Sequence, residues 1–263
     1  MTEYETIIVE KKGAVGWIRL NRPDAMNAVT AQSQRDLRDA WFDMEEDRTI
    51  RVVVLTGTGK AFCAGADLKA GAGEPDEHGN PPPEFIDVAD RTDRVMASFP
   101  KPIIAALNGI TVGGGLELAM MADLIVATES AKIGDGHLRF GMLPGGGASL
   151  RLPRLIGLMN ARKLIFSGEL WSAARMLDLG LLAYVYPDTT FEDDVTALAE
   201  DLARKSPLAV RALKRLINGG FDTTDDLAVR AEKDAVRVHM KTRDAQEGMA
   251  AFAEKRAPIY KGY

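Results

Sequence analysis

The segment NGITVGGGLELAMMADL, residues 108–124, combines a run of glycines with an acidic residue in an apolar pattern. Three consecutive glycines, at 113–115, precede an apolar helical pattern, and the unpaired N–H groups at such a helix start favour negative charge on a ligand. Glu117 lies in the first turn of this pattern among leucine, alanine and methionine. Burying a carboxylate is costly unless it is hydrogen-bonded or protonated, so Glu117 is a candidate acid or base. A glutamate that faces solvent or pairs with an arginine would fit the same pattern without any chemical role.

A second glycine-rich turn, GKAFCAGADLKAG (residues 59–71), follows an apolar strand pattern. The small residues Ala64, Gly65 and Ala66 let a ligand approach the backbone, and their N–H groups could point at an oxygen. A tight turn between a strand and a helix would explain the same composition. A dinucleotide-binding motif is excluded because Phe62 stands where G-x-G-x-x-G requires its third glycine. No P-loop lysine follows the glycines at 113–115, which argues against a nucleoside triphosphate.

A third stretch, KIGDGHLRFGMLPGGG (residues 132–147), places His137 between two glycine-rich turns. An imidazole, with an ordinary pKa near 6.5, suits proton transfer at neutral pH. A histidine that only packs or bonds there is the alternative. The glycines at 145–147 precede another apolar helical pattern, which is typical of a turn that enters a packed helix.

Strand and helix patterns alternate along most of the chain. We predict a hairpin over residues 6–23, a helix over 30–47 capped by Thr30, and buried strands over 50–57, 101–109 and 122–128. Successive helical patterns follow from about residue 190, with Ser206 and Pro207 as a helix start and Gly219 as a helix stop. The sequence therefore predicts a largely parallel α/β core over residues 1–195 and a helical region over 196–263. The glycine- and proline-rich segment 68–87 is predicted to be a loop.

Composition excludes several classes of protein. A net charge of −5 over 263 residues argues against a nucleic acid or an anionic membrane as partner. The single cysteine, Cys63, excludes an internal disulfide framework and a thiolate metal cluster, and we predict no metal site. The acidic N-terminus lacks a signal-peptide pattern and no apolar run reaches about 18 residues, so we expect a soluble, cytoplasmic protein. Residues 204–263 hold 13 Lys and Arg against 8 Asp and Glu, which suits an anionic ligand, an acidic neighbour or simply a basic helical surface.

Together, these stretches resemble the crotonase (enoyl-CoA hydratase/isomerase) superfamily over nearly the whole chain. LNRPDAMNAV (20–29) resembles the family's N-terminal CoA-contacting segment, and FCAGADLK (62–69) resembles its first oxyanion-hole turn. NGITVGGGLELAMMADL resembles the second oxyanion-hole turn, followed by the first catalytic glutamate. SAKIGDGHLRFGMLPGGGAS (130–149) occupies the second catalytic stretch, and FAEKRAP (252–258) matches the C-terminal tail.

The resemblance implies an α/β fold, a crotonase-like spiral of ββα units with a C-terminal α-helical trimerisation region. It implies a homotrimer or a hexamer built as a dimer of trimers. The substrate would be an acyl-CoA, with coenzyme A as part of the substrate and no tightly bound cofactor. The backbone N–H groups of Ala66 and Gly114 would form the oxyanion hole. The residues that would contact CoA are Asp24, Ala25, Met26, Ala64, Asp67, Leu68, Lys69, Phe252 and Lys255.

The chain departs from the family pattern at the second catalytic position. Family hydratases carry a G-x-P-E-x-x-x-G run there, whereas residues 134–141 read GDGHLRFG, with His137 in place of the glutamate and Gly136 in place of the proline. Glu117 matches the first glutamate, so Glu117 and His137 are the predicted catalytic residues. We expect the addition of water to a 2-enoyl-CoA, with isomerisation also open.

Two other functions stay open on the sequence. A C–C bond hydrolase or decarboxylase acting on a β-oxo acyl-CoA would use the same stabilised enolate, with His137 activating water or donating a proton. A non-catalytic CoA-ester-binding oligomer would need no acid or base, and Glu117 within an apolar helix argues against it. His78 and His239 are the other histidines that could serve a site.

Overall fold

The computed structural model describes residues 4–70 and 85–263. The strands are β1 (Ile7–Lys12), β2 (Val15–Leu20), β3 (Val52–Gly57), β4 (Ala61–Cys63), β5 (Ile103–Leu107), β6 (Ile110–Val112), β7 (Leu124–Thr128), β8 (Lys132–Gly134), β9 (Trp171–Ser172) and β10 (Tyr184–Tyr186). The helices are α1 (Ala31–Glu46), α2 (Phe85–Ser98), α3 (Gly114–Ala119), α4 (Ala148–Ile156), α5 (Leu158–Ser167), α6 (Ala173–Asp178), α7 (Phe191–Ala203), α8 (Pro207–Gly220), α9 (Asp225–His239) and α10 (Arg243–Glu254).

Two β-sheets organise the core. The larger has the strand order β1-β2-β3-β5-β7-β10, and only β1 and β2 pair antiparallel within it. The smaller has the order β4-β6-β8-β9, with β8 and β9 antiparallel. The chain steps from the larger to the smaller sheet three times, as β3–β4, β5–β6 and β7–β8, with a helix after each step. This arrangement confirms the predicted spiral of ββα units.

The larger sheet follows directly from the sequence. Every residue of β3 and β5 is buried, as expected where both faces of a parallel sheet are covered. Gly13, at a φ of +60°, makes the turn between β1 and β2, and Thr30 caps α1 by accepting a hydrogen bond from the Ser33 N–H.

The predicted helix stop at Gly219 is wrong, since α8 includes Gly220 and is capped by Phe221. A glycine in the last helical turn costs only about 1 kcal/mol relative to alanine, which does not end the helix.

Hydrophobic clusters cover both faces of the larger sheet. Alternate residues of β3 point to opposite sides, so Val53 packs in the cluster that contains Trp41 of α1, and Val54 packs in the cluster that contains α7. The buried residues of α7 are Val195, Ala199 and Ala203. The predicted boundary after residue 195 therefore falls inside a helix that packs against the α/β core.

Several apolar side chains of the C-terminal helices are exposed. On α8 and α9 these are Leu213, Ile217, Leu227, Val229, Val236 and Val238. Lys214 joins α8 to the core, because its Nζ lies 2.7 Å from the Asp123 carboxylate and donates to the carbonyl of Lys101 at 3.0 Å. These exposed side chains are consistent with the predicted trimerisation region. Among residues 4–70 and 85–263, no helix combines the length and apolar character needed to cross a bilayer.

The smaller sheet determines where a site can form. Its strands β4, β6 and β8 are parallel neighbours, so their carboxyl ends lie along one edge. These strands end at Cys63, Val112 and Gly134, and the three glycine-rich stretches leave the sheet at those points. Segments that are far apart in sequence are thus brought to one edge.

Candidate active site

A cavity of about 570 Å³ opens where the three turns meet. Helix α2 contributes to its wall, and its apolar lining consists of Val29, Leu68, Phe85, Ile86, Ala89, Val112, Leu118, Met121, Phe140, Met142 and Leu143. This volume and this composition are typical of a small-molecule site. Met142 lies in the wall. Residues 71–84, which include His78, lie outside the described residues.

Two backbone donors line the cavity together, at Ala66 and Gly114. A Cβ built on Gly114 would lie 3.6 Å from the Ala66 nitrogen, so the two turns are in contact at this point. Gly65 has a φ of +97°, and a Cβ there would lie 3.1 Å from the carbonyl oxygen of Val112, so this turn requires glycine. Among the turn and loop hydrogen bonds of the described residues, none uses the Ala66 or Gly114 N–H. The two residues predicted to supply the oxyanion hole are therefore adjacent in the cavity wall, and their role in holding a ligand oxygen stays a prediction.

Glu117 faces the cavity and is 5% exposed. Its Oε1 accepts hydrogen bonds from the backbone N–H groups of Gly146 at 2.7 Å and Ala148 at 3.0 Å. The third glycine-rich stretch thus presents the start of α4 to this carboxylate. A Cβ on Gly146 would lie 2.9 Å from the Cβ of Glu117, so a glycine is needed there. The burial of Glu117 excludes a glutamate that faces solvent. Its hydrogen-bond partners are neutral backbone groups rather than an arginine.

His137 brings its imidazole to the other oxygen of Glu117. Its Nε2 lies 3.7 Å from Glu117 Oε2, which is beyond direct hydrogen-bond distance but within reach of a shared water or substrate atom. Its Nδ1 lies 3.0 and 3.1 Å from the two carboxylate oxygens of Asp135. The hydrogen bond with Asp135 raises the pKa of the His137 imidazole, and the charges of Asp135 and Glu117 act in the same direction, against the opposing effect of burial.

Asp93 of α2 adds an acidic group to the cavity wall. Burial, followed by the nearby charge of Glu117, raises the pKa of the Asp93 carboxyl to about 6, while Arg151 acts in the opposite direction. The sequence offers no distinct signal for this residue, because an aspartate in an amphipathic helix is usually on the solvent side. Asp90 and Arg94 of the same helix also line the cavity and pair with each other at 2.8 Å.

Only some of the residues predicted to contact CoA line the cavity. Ala64 and Leu68 line the cavity. The carbonyl of Met26 accepts a hydrogen bond from the Ala64 N–H at 3.0 Å, which places the turn of Asp24, Ala25 and Met26 beside the first oxyanion turn. That turn is thus held next to the cavity without lining it.

Two further predicted contacts have structural partners of their own. The Asp67 carboxylate pairs with Arg22 at 2.8 Å, and the hydrogen bond from Arg22 lowers the pKa of Asp67. The Lys69 N–H donates to the same carboxylate at 3.0 Å, and neither residue is part of the cavity lining. The Lys69 side chain is exposed at the end of the described segment.

The predicted contacts in the tail are not brought to the cavity by this chain. Phe252 lies on α10 and is 88% exposed, and Lys255 is the C-cap of that helix. Neither lines the cavity, and neither does His239 at the end of α9. A role of Phe252 and Lys255 in CoA binding stays a prediction.

Asp135 and Gly146 are site residues that the sequence did not single out. An aspartate flanked by Gly134 and Gly136 resembles an ordinary turn residue, although its side chain is buried here. The signal that could have identified Asp135 is its position two residues before the replaced glutamate.

Comparison with known proteins gives consistent results over the full length. A sequence model described as enoyl-CoA hydratase/isomerase matches residues 10–263. A putative enoyl-CoA hydratase/isomerase of Bacillus subtilis is 39% identical over 93% of this chain and 94% of its own length. A crotonyl-CoA hydratase of Syntrophomonas wolfei is 35% identical over 96% of each chain. The crystal structure of an enoyl-CoA hydratase from Bacillus anthracis superposes with a TM-score of 0.91 at 37% identity, covering 98% of this chain and all of that one.

Proposed function

The chain belongs to the enoyl-CoA hydratase/isomerase family, and from this premise we propose that it adds water across the double bond of a 2-enoyl-CoA. The observation that carries the proposal is the pair formed by Glu117 and His137, whose Oε2 and Nε2 lie 3.7 Å apart in the cavity wall. Hydration requires one group that takes a proton from water and one that delivers a proton to the α carbon. Two proton-transfer groups at this separation can serve both carbons of one double bond.

The enolate that forms during hydration needs a site for its negative charge. We assign this role to the N–H groups of Ala66 and Gly114, which line the cavity beside each other. One well-aligned oxyanion donor contributes about 3 kcal/mol of transition-state stabilisation. These donors act from the backbone, so their contribution depends on the glycine turns rather than on any side chain.

The CoA portion is proposed to leave the cavity past the first oxyanion turn. Ala64 and Leu68 line that end, and the turn of residues 24–26 is hydrogen-bonded to Ala64. Asp67 and Lys69 would contribute through the backbone and through the exposed lysine side chain. Phe252 and Lys255 are proposed to lie near the phosphates or the adenine.

The assembly is proposed to be a homotrimer or a dimer of trimers. The exposed apolar side chains of α8 and α9 support this proposal, because a subunit interface would bury them. Sedimentation equilibrium of the purified chain tests it directly, and a monomer at micromolar concentration would contradict it.

A C–C bond hydrolase or decarboxylase is the second candidate function. The observation that favours it is the imidazole at the second catalytic position, in the same cavity as the oxyanion donors. Such an enzyme would generate the same enolate from a β-oxo acyl-CoA and then protonate it.

A panel of substrates separates these functions. The purified protein is incubated with 2-enoyl-CoA and β-oxo acyl-CoA esters of several chain lengths, and the products are followed by mass spectrometry. We expect the gain of one water on a 2-enoyl-CoA. Loss of carbon dioxide or cleavage of a β-oxo acyl chain, without hydration of any enoyl ester, would instead support the second candidate. No change with any ester would contradict both and favour a non-catalytic CoA-ester-binding oligomer.

A further inference from the structure

We propose that Asp135 is a positioning residue that presents the Nε2–H of His137 to the cavity, which makes His137 the proton donor and Glu117 the proton acceptor of the reaction. The catalytic roles assigned here rest on the proposed hydration. The protonation of His137 does not depend on it and can be measured without turnover.

Asp135 is buried next to the imidazole of His137. Its side chain is fully buried, and both of its oxygens lie within 3.1 Å of His137 Nδ1. Its Oδ1 also accepts the backbone N–H of His137 at 3.1 Å. Within the part of the chain that the structure describes, no lysine or arginine pairs with it. A buried carboxylate needs hydrogen-bond donors or an opposite charge beside it, so the imidazole is the group that compensates the charge of Asp135.

The flanking glycines allow this placement. A Cβ on Gly134 would lie 2.2 Å from the carbonyl oxygen of Glu169, and one on Gly136 would lie 2.8 Å from Cγ1 of Val112. The backbone at Gly134 therefore runs too close to a neighbouring carbonyl for any side chain, and a side chain at Gly136 would displace Val112. Asp135 is the one residue of this tripeptide whose side chain can reach beneath the ring.

The surroundings of the ring then determine its protonation. Because Nδ1 donates to Asp135, the neutral ring would turn an unprotonated Nε2 toward the Oε2 of Glu117, and two lone pairs would face each other at 3.7 Å. The protonated ring places an N–H there instead. The other charged groups that line the cavity are Asp87, Asp90, Asp93 and Arg94, of which Arg94 is paired with Asp90. The raised pKa of His137 agrees with a ring that carries both protons.

With these roles, every bond formed and every proton moved during hydration is accounted for. Glu117 accepts a proton from water as the water oxygen bonds to the β carbon, and the electron pair of the double bond moves to the thioester oxygen held by Ala66 and Gly114. The enolate collapses as the proton on His137 Nε2 bonds to the α carbon. The proton on Glu117 then passes to His137, which restores both groups with one water consumed.

The test is Asp135→Asn, which keeps the shape and removes the charge. The imidazole resonances of the three histidines are titrated by NMR, with that of His137 identified by its absence in His137→Gln. We expect the pKa of His137 to lie above 6.5 in the unaltered protein and to fall in Asp135→Asn. With a 2-enoyl-CoA that the panel identifies, we expect kcat to fall about 10-fold or more with little change in KM. Asp135→Asn should cause no further loss in a His137→Gln background.

A matched control is Asp36→Asn, because Asp36 is a buried carboxylate that binds Thr6 and lies outside the cavity lining. It should lower the melting temperature without moving the pKa of His137 or kcat. An unchanged pKa and pH–rate profile in folded Asp135→Asn would overturn the inference. If that variant does not fold, a His137 pKa at or below 6.5 in the unaltered protein would overturn it. Failure of every substrate would reject the proposed hydration while leaving the titration result intact.

Discussion

Glu117 and His137 face the same space, but the protein holds them by different means. Neutral backbone N–H groups from the start of α4 hold one oxygen of Glu117 and leave the other directed at His137. A buried carboxylate, Asp135, holds the far nitrogen of His137. The first arrangement orients a side chain without supplying a counter-charge, whereas the second orients a side chain and also favours its protonated form. The two groups are thus held by contacts that differ in charge, and on this basis we propose that they take opposite proton-transfer roles.

The largest effect is expected from Glu117→Gln. The amide can still accept the N–H groups of Gly146 and Ala148 but cannot take a proton from water, so kcat should fall by roughly 10²- to 10⁴-fold. Binding of a CoA ester, measured by calorimetry, should survive. Glu129→Gln, at an exposed turn after β7, is the matched control and should keep full activity. Turnover of Glu117→Gln at the normal rate would remove Glu117 from the acid/base pair.

His137→Gln should have the next largest effect and should change the shape of the pH profile. With a protonated His137 as donor, kcat of the unaltered enzyme falls as pH rises through the raised pKa of the imidazole. We expect His137→Gln to lose about 10²-fold at neutral pH and to lack that alkaline limb. His239→Gln serves as the control, since His239 does not line the cavity. Identical profiles for His137→Gln and the unaltered enzyme would mean that His137 only packs.

Gly146→Ala tests whether the neutral backbone N–H groups fix the position of Glu117. The added Cβ would lie 2.9 Å from the Cβ and 3.1 Å from the Cδ of Glu117, so the carboxylate must shift away from the N–H groups that hold it. We expect kcat to fall about 10-fold. Gly219→Ala makes the same change where no atom lies within 4 Å, and it should leave kcat unchanged. Equal activity of both variants would show that the position of Glu117 tolerates displacement.

The smallest effect concerns stability. Because the pKa of His137 is raised in the folded state, protonation stabilises the fold fully below the ordinary pKa near 6.5, and this contribution is lost as pH rises through the raised value. Melting temperatures of the unaltered protein and of His137→Gln should therefore converge by a few degrees between about pH 6 and about pH 9. A difference that widens with pH would contradict the protonated resting state.

The parts of this molecule that the sequence predicts are those with strong local patterns. Continuous apolar runs identify β3, β5 and β7, and a carboxylate within an apolar helix identifies Glu117. The strands of the smaller sheet are two or three residues long, too short for any periodicity to appear, although they carry the site. Asp135 and Asp93 escape prediction for a related reason: the burial of each depends on elements distant in sequence, and an aspartate in a turn or on a helix is ordinarily exposed.

The addition of water to a 2-enoyl-CoA is tested by the mass of the product formed in water labelled with heavy oxygen. A short ester such as crotonyl-CoA is incubated with the unaltered protein and with Glu117→Gln, and the acyl-CoA products are analysed by mass spectrometry. We expect the unaltered protein to add one labelled water to the acyl group and the variant to add almost none. An ester of unchanged mass, across all chain lengths tested, would contradict the proposed hydration.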